Sequence, residues 1–359
     1  MDVSGSCIKC GYRGKLYSNL CEKCFREEEL KKGFIDLPEH IDAILCPKCN
    51  SAKIGSKWFD FPNLESALEK SVASSIGIRR DLSLDDVELD ISLEYMHEKL
   101  YKARVNAIIH HSGLEFEESK ETELRIRYAA CDRCSKVYGG YFEAIVQVRA
   151  SDRKINSNEG REVREFVNMR LGELRKSSRS VFITKEEEVQ GGIDFYVGSI
   201  DAAKQIAKSL QDEFGGEYTE SSKLHTRKEG RDIYRMTYLV RFPKYRRRDI
   251  IAMKIKGKEK VLQVKKIYPK MAWLKDLTTG KDVNIDVSEL ENVRIIGGPE
   301  SIQEAVVVSR NKVNKGFELQ ILEPTTYRTV TIREPEDFQV KGQYVKIVKY
   351  DEQIFLIYD

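Results

Sequence analysis

The chain has 359 residues, of which 41% are apolar and 33% are charged, and this length predicts a hydrated protein of three or four domains. No apolar run reaches membrane-spanning length, and the first ten residues lack the hydrophobic segment of a secretion signal. We therefore expect a cytoplasmic monomer that makes no membrane contact.

The sequence lacks the common catalytic motifs. It contains no P-loop, no dinucleotide-binding glycine motif, no serine-hydrolase elbow and no HExxH zinc-protease motif. Its five histidines supply little acid–base chemistry near neutral pH. We therefore expect no enzymatic activity, no catalytic residues and no small-molecule substrate.

All eight cysteines occur in four CxxC pairs. The pairs are Cys7 with Cys10, Cys21 with Cys24, Cys46 with Cys49, and Cys131 with Cys134. Two residues between thiolates allow a tight turn to present both sulfurs to one metal ion, and two such turns complete a tetrahedral zinc site. Because four thiolates leave no open coordination position, the pattern predicts two structural zinc ions rather than disulfides or a redox dithiol.

The four pairs can be matched in three ways. The simplest arrangement joins the first two pairs, which are ten residues apart, and closes the third pair with the fourth across 81 residues. A long intervening segment is acceptable if its two ends lie close together in the fold. A metal ion that closes a longer loop also stabilises the protein more. A cross-braced arrangement, first with third and second with fourth, remains an alternative.

Four domains follow from the order of the predicted elements. Residues 1–140 form the zinc-binding domain, with a helix at 61–78 and a β-rich insertion in which apolar residues alternate at 87–95, 105–109 and 124–128. Residues 141–242 read as strand, helix, two strands, helix, strand, which is the ferredoxin-like βαββαβ order. The predicted fold class is multidomain α+β.

The C-terminal part of the chain is rich in short strands and turns. Five predicted strands in residues 243–297 indicate a small SH3-like or KOW-like barrel, and five more in residues 298–359 indicate an OB-like barrel. The order of the two barrels, and whether one is inserted in the other, remains open.

A basic block coincides with the first barrel. Residues 223–281 contain 19 Lys and Arg against five Asp and Glu, a local charge of +14, so the rest of the chain sums to −11. Such a block most often binds nucleic acid. The candidate phosphate-binding residues are Lys244, Arg246, Arg247, Arg248, Lys254, Lys256, Lys258 and Lys260. Tyr245, Tyr268 and Trp273 lie among them and are candidates to stack on unpaired bases, although barrel cores also need aromatic residues.

The cysteine layout, the segment YFEAIVQVRA at 141–150, the segment GGIDFYV at 191–197 and the two barrels together resemble a known family. It is the large-ribosomal-subunit export adapter family named for nonsense-mediated decay, and the resemblance covers the entire chain. Eukaryotic members carry a C-terminal tail with an export signal. This chain has none after Asp359, so the resemblance is to the archaeal form.

The resemblance implies a function. Family members bind two zinc ions through these cysteines and lie on the intersubunit face of the nascent large subunit. Their paired barrels resemble translation initiation factor five-A, which occupies the tRNA exit site. We therefore expect a non-enzymatic ribosome biogenesis factor with the large subunit, its rRNA and its proteins as partners, together with other subunit-joining or anti-association factors.

Two other functions remain open. One is a zinc-containing RNA-processing or RNA-modifying enzyme whose active site uses groups that look like ordinary surface residues. The other is a zinc-stabilised protein adapter recruited through the acidic segment 81–94, and it is compatible with the assembly factor.

Overall fold

A computed structural model describes residues 4–228, 230–314, 316–335, 338–340 and 342–358. The chain divides into two compact units, Met1–Gly139 and Gly140–Asp359. Both units mix helices with mostly antiparallel sheets, which confirms the predicted α+β fold class. The finer division into four domains stays a prediction. In the described part of the chain, no helix combines the length and the apolar character needed to cross a membrane.

The first unit consists of three sheets and three helices in its described residues. In chain order these are β1 (Ser4–Ser6), β2 (Arg13–Tyr17), β3 (Leu20–Cys21), α1 (Glu22–Lys32), β4 (Ile35–Asp36), β5 (His40–Leu45), β6 (Ser51–Ile54), β7 (Lys57–Asp60), α2 (Leu64–Ala73), β8 (Gly77–Ile78), β9 (Val87–His97), β10 (Leu100–His111), β11 (Leu114–Tyr128) and α3 (Asp132–Tyr138). The sheets are β1-β2-β3, the pair β4-β8, and the six-stranded β7-β6-β5-β11-β10-β9.

The six-stranded sheet carries the core of this unit. Strand β11 pairs in parallel with β5, and the other described pairs are antiparallel. Alternate residues of β10 point into the core, where Val105 and Ile109 are completely buried beside Leu68 of α2. The acidic strand β9 lies at one edge of the sheet.

The predicted helix at 61–78 is shorter in the structure. The Asn63 side chain accepts a hydrogen bond from the Ser66 backbone N–H and so caps the N-terminus of α2. At the other end, Gly77 and Ile78 leave the helix to pair with Asp36 and Ile35. Both ends are therefore determined by contacts that the apolar periodicity does not report.

The second unit begins with a sheet covered by two helices. Its elements are β12 (Ala144–Ala150), α4 (Ser157–Arg175), β13 (Ile183–Val189), β14 (Gly192–Val197), α5 (Ile200–Phe214), β15 (Glu217–Lys228) and β16 (Arg231–Phe242). The strand order is β13-β14-β12-β16-β15. The first five elements follow the predicted βαββα order, but β16 then lies parallel to β12 and separates it from β15.

The hairpin β15–β16 is longer than the strands at 217–221 and 234–242 that the sequence pattern predicts. Its register extends from Glu217 opposite Arg241 to Lys228 opposite Arg231, whereas β12 pairs with β16 only from Met236 onward. Among the described strands, none therefore lies beside the outer half of this hairpin. Alternation is weak there because both faces are exposed, which explains why the sequence pattern showed only its inner half.

Two five-stranded sheets complete the second unit. The first comprises β17 (Ile250–Ile255), β18 (Lys258–Ile267), β19 (Met271–Asp276), β20 (Asp282–Asp286) and β21 (Arg294–Gly297). The second comprises β22 (Gln303–Val313), β23 (Gly316–Leu322), β24 (Thr329–Glu334), β25 (Tyr344–Tyr350) and β26 (Gln353–Leu356). Each sheet uses one continuous segment, so neither is inserted in the other. Edge strands β24 and β26 contact each other, which makes the second sheet nearly closed.

The two C-terminal sheets share a small core. Ile250, Val261 and Leu277 from the first sheet region pack with Val348 and Phe355 from the second. Because these side chains are at most 9% exposed, the contact excludes water. The two sheets therefore present a joint surface in which side chains of both line one groove.

Candidate metal centres and nucleic-acid interface

The first candidate metal centre joins a turn to the start of a helix. Cys7 and Cys10 lie in the turn between β1 and β2, where the Cys7 carbonyl accepts a hydrogen bond from Gly11 N–H at 2.9 Å. Cys21 is the N-cap of α1, and Cys24 lies in its first turn. The four sulfurs lie within 4.8 Å of one another.

The second candidate centre repeats this arrangement. Cys46 and Cys49 lie in the loop between β5 and β6, Cys131 is the N-cap of α3, and Cys134 follows in the first turn. These sulfurs also lie within 4.8 Å of one another. The structure thus groups the eight cysteines in the sequential arrangement, and not in the cross-braced one.

The sulfur separations suit a tetrahedral metal ion. Cys10 Sγ and Cys21 Sγ are 3.6 Å apart, and Cys49 Sγ lies 3.7 Å from both Cys131 Sγ and Cys134 Sγ. Four ligands about 2.3 Å from a zinc ion stand roughly 3.8 Å from each other, whereas a disulfide requires about 2.05 Å. All eight cysteines are free thiols. The donor set therefore fits one closed four-sulfur site in each cluster.

The local hydrogen bonds distribute negative charge unevenly within each cluster. A hydrogen bond from the Cys21 backbone holds the pKa of Cys7 at about 6. Although burial opposes ionisation of Cys49, hydrogen bonds from Ser51 lower the pKa of its thiol to about 6. Burial and the neighbouring Cys21 thiol raise the pKa of Cys24 to about 12, and burial also raises the pKa of Cys134. A cation among the sulfurs would favour ionisation of all four thiols in each cluster.

A second layer of contacts orients the second cluster. The Arg133 guanidinium contacts the Cys49 thiol and pairs with Asp60 at 2.9 Å. The Ser51 hydroxyl lies 3.0 Å from Cys49 Sγ and donates to Asp60 at 2.5 Å. These partners fix the position of a thiolate and offset its charge, a function that outer groups commonly have around metal ions.

The eight predicted phosphate-binding residues fall into two groups, one at each end of β17. Arg247 and Arg248 precede the strand, and Lys254, Lys256 and Lys258 surround the turn that follows it. All five are exposed. The six residues of β17 separate the groups by about 20 Å, at about 3.3 Å per residue. A single phosphate cannot span this distance, so only an extended ligand can contact both groups of cations.

The other three predicted residues are held by internal contacts. Arg246 pairs with the buried carboxylate of Asp249 at 3.3 Å. Lys260 pairs with Asp276, which is only 1% exposed, and the Lys244 ammonium donates to the Glu291 carbonyl. Their primary contacts are therefore within the protein.

The aromatic candidates differ in exposure. Tyr245 is 2% exposed, and burial raises its pKa to about 12, so it is a core residue, as the need of barrel cores for aromatic residues leads us to expect. Tyr268 and Trp273 are 38% and 39% exposed and remain available.

Further cations approach the Arg247 end of the sheet. Lys265 and Lys275 of the first sheet lie in one groove with Lys346 of the second. Sequence analysis did not single them out. Lys346 is 98 residues from Arg248, and only the packing of the two sheets brings it to the groove.

Comparison with known proteins agrees with this architecture. A sequence model of the NMD3 N-terminal domain matches residues 7–139, and a model of the NMD3 second domain matches residues 141–242. A search of curated proteins found no match. The first matched segment contains both cysteine clusters, and the second coincides with the sheet of β12 to β16. The chain therefore belongs to the NMD3 family, a family of ribosome-associated factors.

Proposed function

We propose that this protein is a non-enzymatic, cytoplasmic assembly factor that binds the intersubunit face of the large ribosomal subunit and covers tRNA sites there. The observation that carries the proposal is the distribution of charge on the first C-terminal sheet. Five of the eight predicted cations remain exposed there, at both ends of one strand. Ribosomal RNA offers phosphates over the distance that separates the two ends.

We also propose that both cysteine clusters hold zinc and that the two ions are structural. Four cysteine thiolates are the usual ligands of structural zinc, because zinc accepts tetrahedral sulfur coordination and has no redox chemistry of its own. In each cluster all four positions are filled by protein sulfur atoms. The ions would stabilise the first unit, whereas the basic sheet of the second unit would contact RNA.

Co-sedimentation with purified large and small ribosomal subunits at several salt concentrations tests the proposed partner. We expect selective binding to the large subunit that weakens as salt rises, because bound phosphates release counterions. The variants Arg247→Glu/Arg248→Glu and Lys254→Glu/Lys256→Glu/Lys258→Glu should each bind more weakly and with a smaller salt slope. Arg246 is left intact because it compensates the charge of the buried Asp249.

The matched control is Lys53→Glu/Lys57→Glu, which reverses two exposed lysines of the first unit. Equal loss of binding in this control would mean that total charge, and not the basic sheet, drives association. Binding that is salt-independent or equal for both subunits would contradict the proposed function. Metal analysis of the purified protein should give two zinc ions per chain.

A further inference from the structure

A groove of about 670 Å³ lies between the two C-terminal sheets. One wall carries Arg247, Arg248, Gln263 and Trp273 from the first sheet region, and the other carries Lys346 and Tyr358 from the second. This volume falls in the range of small-ligand sites, roughly 300–1,000 Å³. The groove is open to solvent and accommodates one nucleotide of a longer chain.

The strand alternation explains why these side chains point into the groove. Leu262, Val264 and Leu274 face the core of the first sheet, so Gln263 and Trp273 face the opposite side. Gln263 lies directly across from Lys275, and an irregularity between Val264 and Lys266 places Lys265 outside the regular register. An amide and an aromatic ring therefore share one wall.

Gln263 is the unusual residue of this wall. Its side chain is 3% exposed, and its Oε1 is buried without a hydrogen-bond partner among the described residues. A buried amide oxygen without a donor is costly, and few such groups occur in folded proteins. Because this oxygen has almost no accessible surface, an N–H group of a ligand reaches it only after the amide rotates toward the groove, a side-chain change that is common on binding.

Trp273 and the two arginines supply the other contacts of a nucleotide site. The indole is 39% exposed, which leaves a face on which a base can stack. Arg247 and Arg248 are exposed at the rim, where a phosphate can remain in contact with water.

The remaining charged residues of the groove restrict where a phosphate can lie. Lys275 pairs with Asp282 at 3.2 Å and lies over the Tyr358 ring, and Lys265 donates to the Tyr358 carbonyl at 2.5 Å. Glu304 also lines the groove and disfavours an anion beside it. The arrangement suits a neutral base inside and an anionic phosphate near the arginines.

We propose that this groove binds one unpaired nucleotide of single-stranded RNA. The base stacks on Trp273, an N–H group of its edge donates to Gln263 Oε1, and its phosphate contacts Arg247 and Arg248. The choice of RNA as the polymer rests on the proposed function, whereas the nucleotide chemistry rests on the groove itself.

Tryptophan fluorescence provides a direct test, because the chain has only two tryptophans, Trp58 and Trp273. In full-length zinc-loaded Trp58→Phe protein, pentaadenylate at low salt should quench Trp273 emission. An abasic pentamer with the same phosphates should not. Adenosine monophosphate distinguishes a free nucleotide from a polymer, and we expect it to bind at least tenfold more weakly than pentaadenylate. Equal binding of the abasic pentamer, or tighter binding of the monophosphate, would overturn the proposal.

Two variants test the contacts by anisotropy of a labelled pentamer. Trp273→Leu should weaken binding roughly tenfold, within the usual range for loss of one stacked base. Gln263→Leu should weaken binding severalfold while the melting temperature stays equal or rises, because it removes an unpaired buried oxygen. The control Gln353→Leu changes an exposed glutamine of β26 and should leave binding unchanged.

A structural function of Gln263 predicts the opposite pattern, in which Gln263→Leu lowers the melting temperature and leaves the affinity of the folded protein intact. That result would overturn the proposal. Co-sedimentation separates the two proposals. If the protein binds large subunits but the pentamer fails to quench Trp273, the groove proposal alone fails. If the pentamer quenches and no subunit binds, the proposed ribosomal function fails and the nucleotide site stands.

Discussion

Burial and pairing decide which cations of this protein are available to a partner. Arg246, Arg247 and Arg248 are adjacent in sequence and chemically identical, yet they have different environments. The Arg246 guanidinium contacts Asp249, whose carboxylate is 1% exposed, whereas its two neighbours face solvent. Burial raises the pKa of Asp249, and Arg246 opposes that rise.

This difference predicts the stability of two alanine variants. Arg246→Ala removes the guanidinium that pairs with the buried Asp249 carboxylate and should lower the free energy of unfolding by about 3 kcal/mol at pH 7. Arg247→Ala changes an exposed side chain and should cost less than about 0.5 kcal/mol. Urea denaturation of the second unit measures the change in unfolding free energy for both variants. Similar losses in the two variants would contradict the assignment of Arg246 to a structural ion pair.

The ion pair between Arg246 and Asp249 also predicts how the stability loss of Arg246→Ala depends on pH. Arg246 favours the ionised form of Asp249 and so lowers its folded-state pKa relative to the variant. Its stabilisation is therefore present at pH values above the carboxyl pKa and is lost as the pH falls through it. We expect the stability difference between wild type and Arg246→Ala to be large at pH 7 and to shrink in acid. A pH-independent difference would point to packing instead.

The hairpin β17–β18 has a turn whose backbone conformation is constrained and whose cations belong to the proposed RNA interface. Lys256 and Gly257 form its two-residue turn with φ values of 50° and 76°, so both residues are left-handed. A Cβ on Gly257 meets no heavy atom within 4 Å, so only the backbone conformation disfavours a side chain there.

Two substitutions in this turn separate stability from RNA binding. Gly257→Ala should lower the stability of the second unit by about 1 kcal/mol, because alanine resists a positive φ. Lys256→Asn should raise stability by a few tenths of a kcal/mol, since asparagine tolerates that conformation, and it should weaken binding to large subunits because one cation is lost. Thermal denaturation and co-sedimentation report the two effects. Unchanged subunit binding in Lys256→Asn would remove this turn from the proposed interface.

The two candidate metal centres use the same combination of a turn and a helix N-terminus, but they close different lengths of chain. The first cluster joins residues 7–24, and the second joins ends separated by the whole β-rich insertion. Closing a longer loop removes more conformational entropy from the unfolded chain. The second metal should therefore contribute more to the stability of the first unit.

Serine substitutions test this comparison. Cys24→Ser and Cys131→Ser should each reduce the zinc content from two ions to one, because the clusters share no ligand. Cys131→Ser should lower the melting temperature of the first unit more than Cys24→Ser. Loss of both ions from a single substitution would indicate that the sites are coupled.

All eight cysteines lie in the first unit, whereas the whole basic block at 223–281 lies in the second. Each unit also contains one tryptophan, Trp58 in the first and Trp273 in the second. The proposed metal binding and the proposed RNA binding can therefore be followed separately within one chain.

Chelation should unfold the two units unequally. In Trp273→Phe protein, a strong zinc chelator should lower the temperature at which Trp58 fluorescence changes, because metal binding is part of the folding free energy of this unit. In Trp58→Phe protein, the chelator should hardly change the temperature at which Trp273 fluorescence changes. Equal shifts in both reporters would show that the second unit also depends on the metal centres.

Several features of the protein follow from short sequence patterns. The CxxC spacing identified all eight cysteines of the two clusters, since two intervening residues suffice to form the turn. Apolar alternation predicted five strands in each of the two C-terminal segments, and each C-terminal sheet has five, because each strand buries one face. The CxxC spacing and the apolar alternation each lie within one short segment of the chain, so both are visible in the sequence.

Other features depend on contacts between distant residues. The grouping of the cysteines, the burial of Tyr245 and the internal pairing of Lys260 with Asp276 appear only when separate strands come together. The groove of Gln263 and Trp273 likewise requires Lys346 and Tyr358 from the following sheet. Residue type and spacing established which chemical groups this protein carries. Tertiary packing decided which of them remain exposed, because solvent access and pairing depend on neighbours that are close in space but distant in the chain.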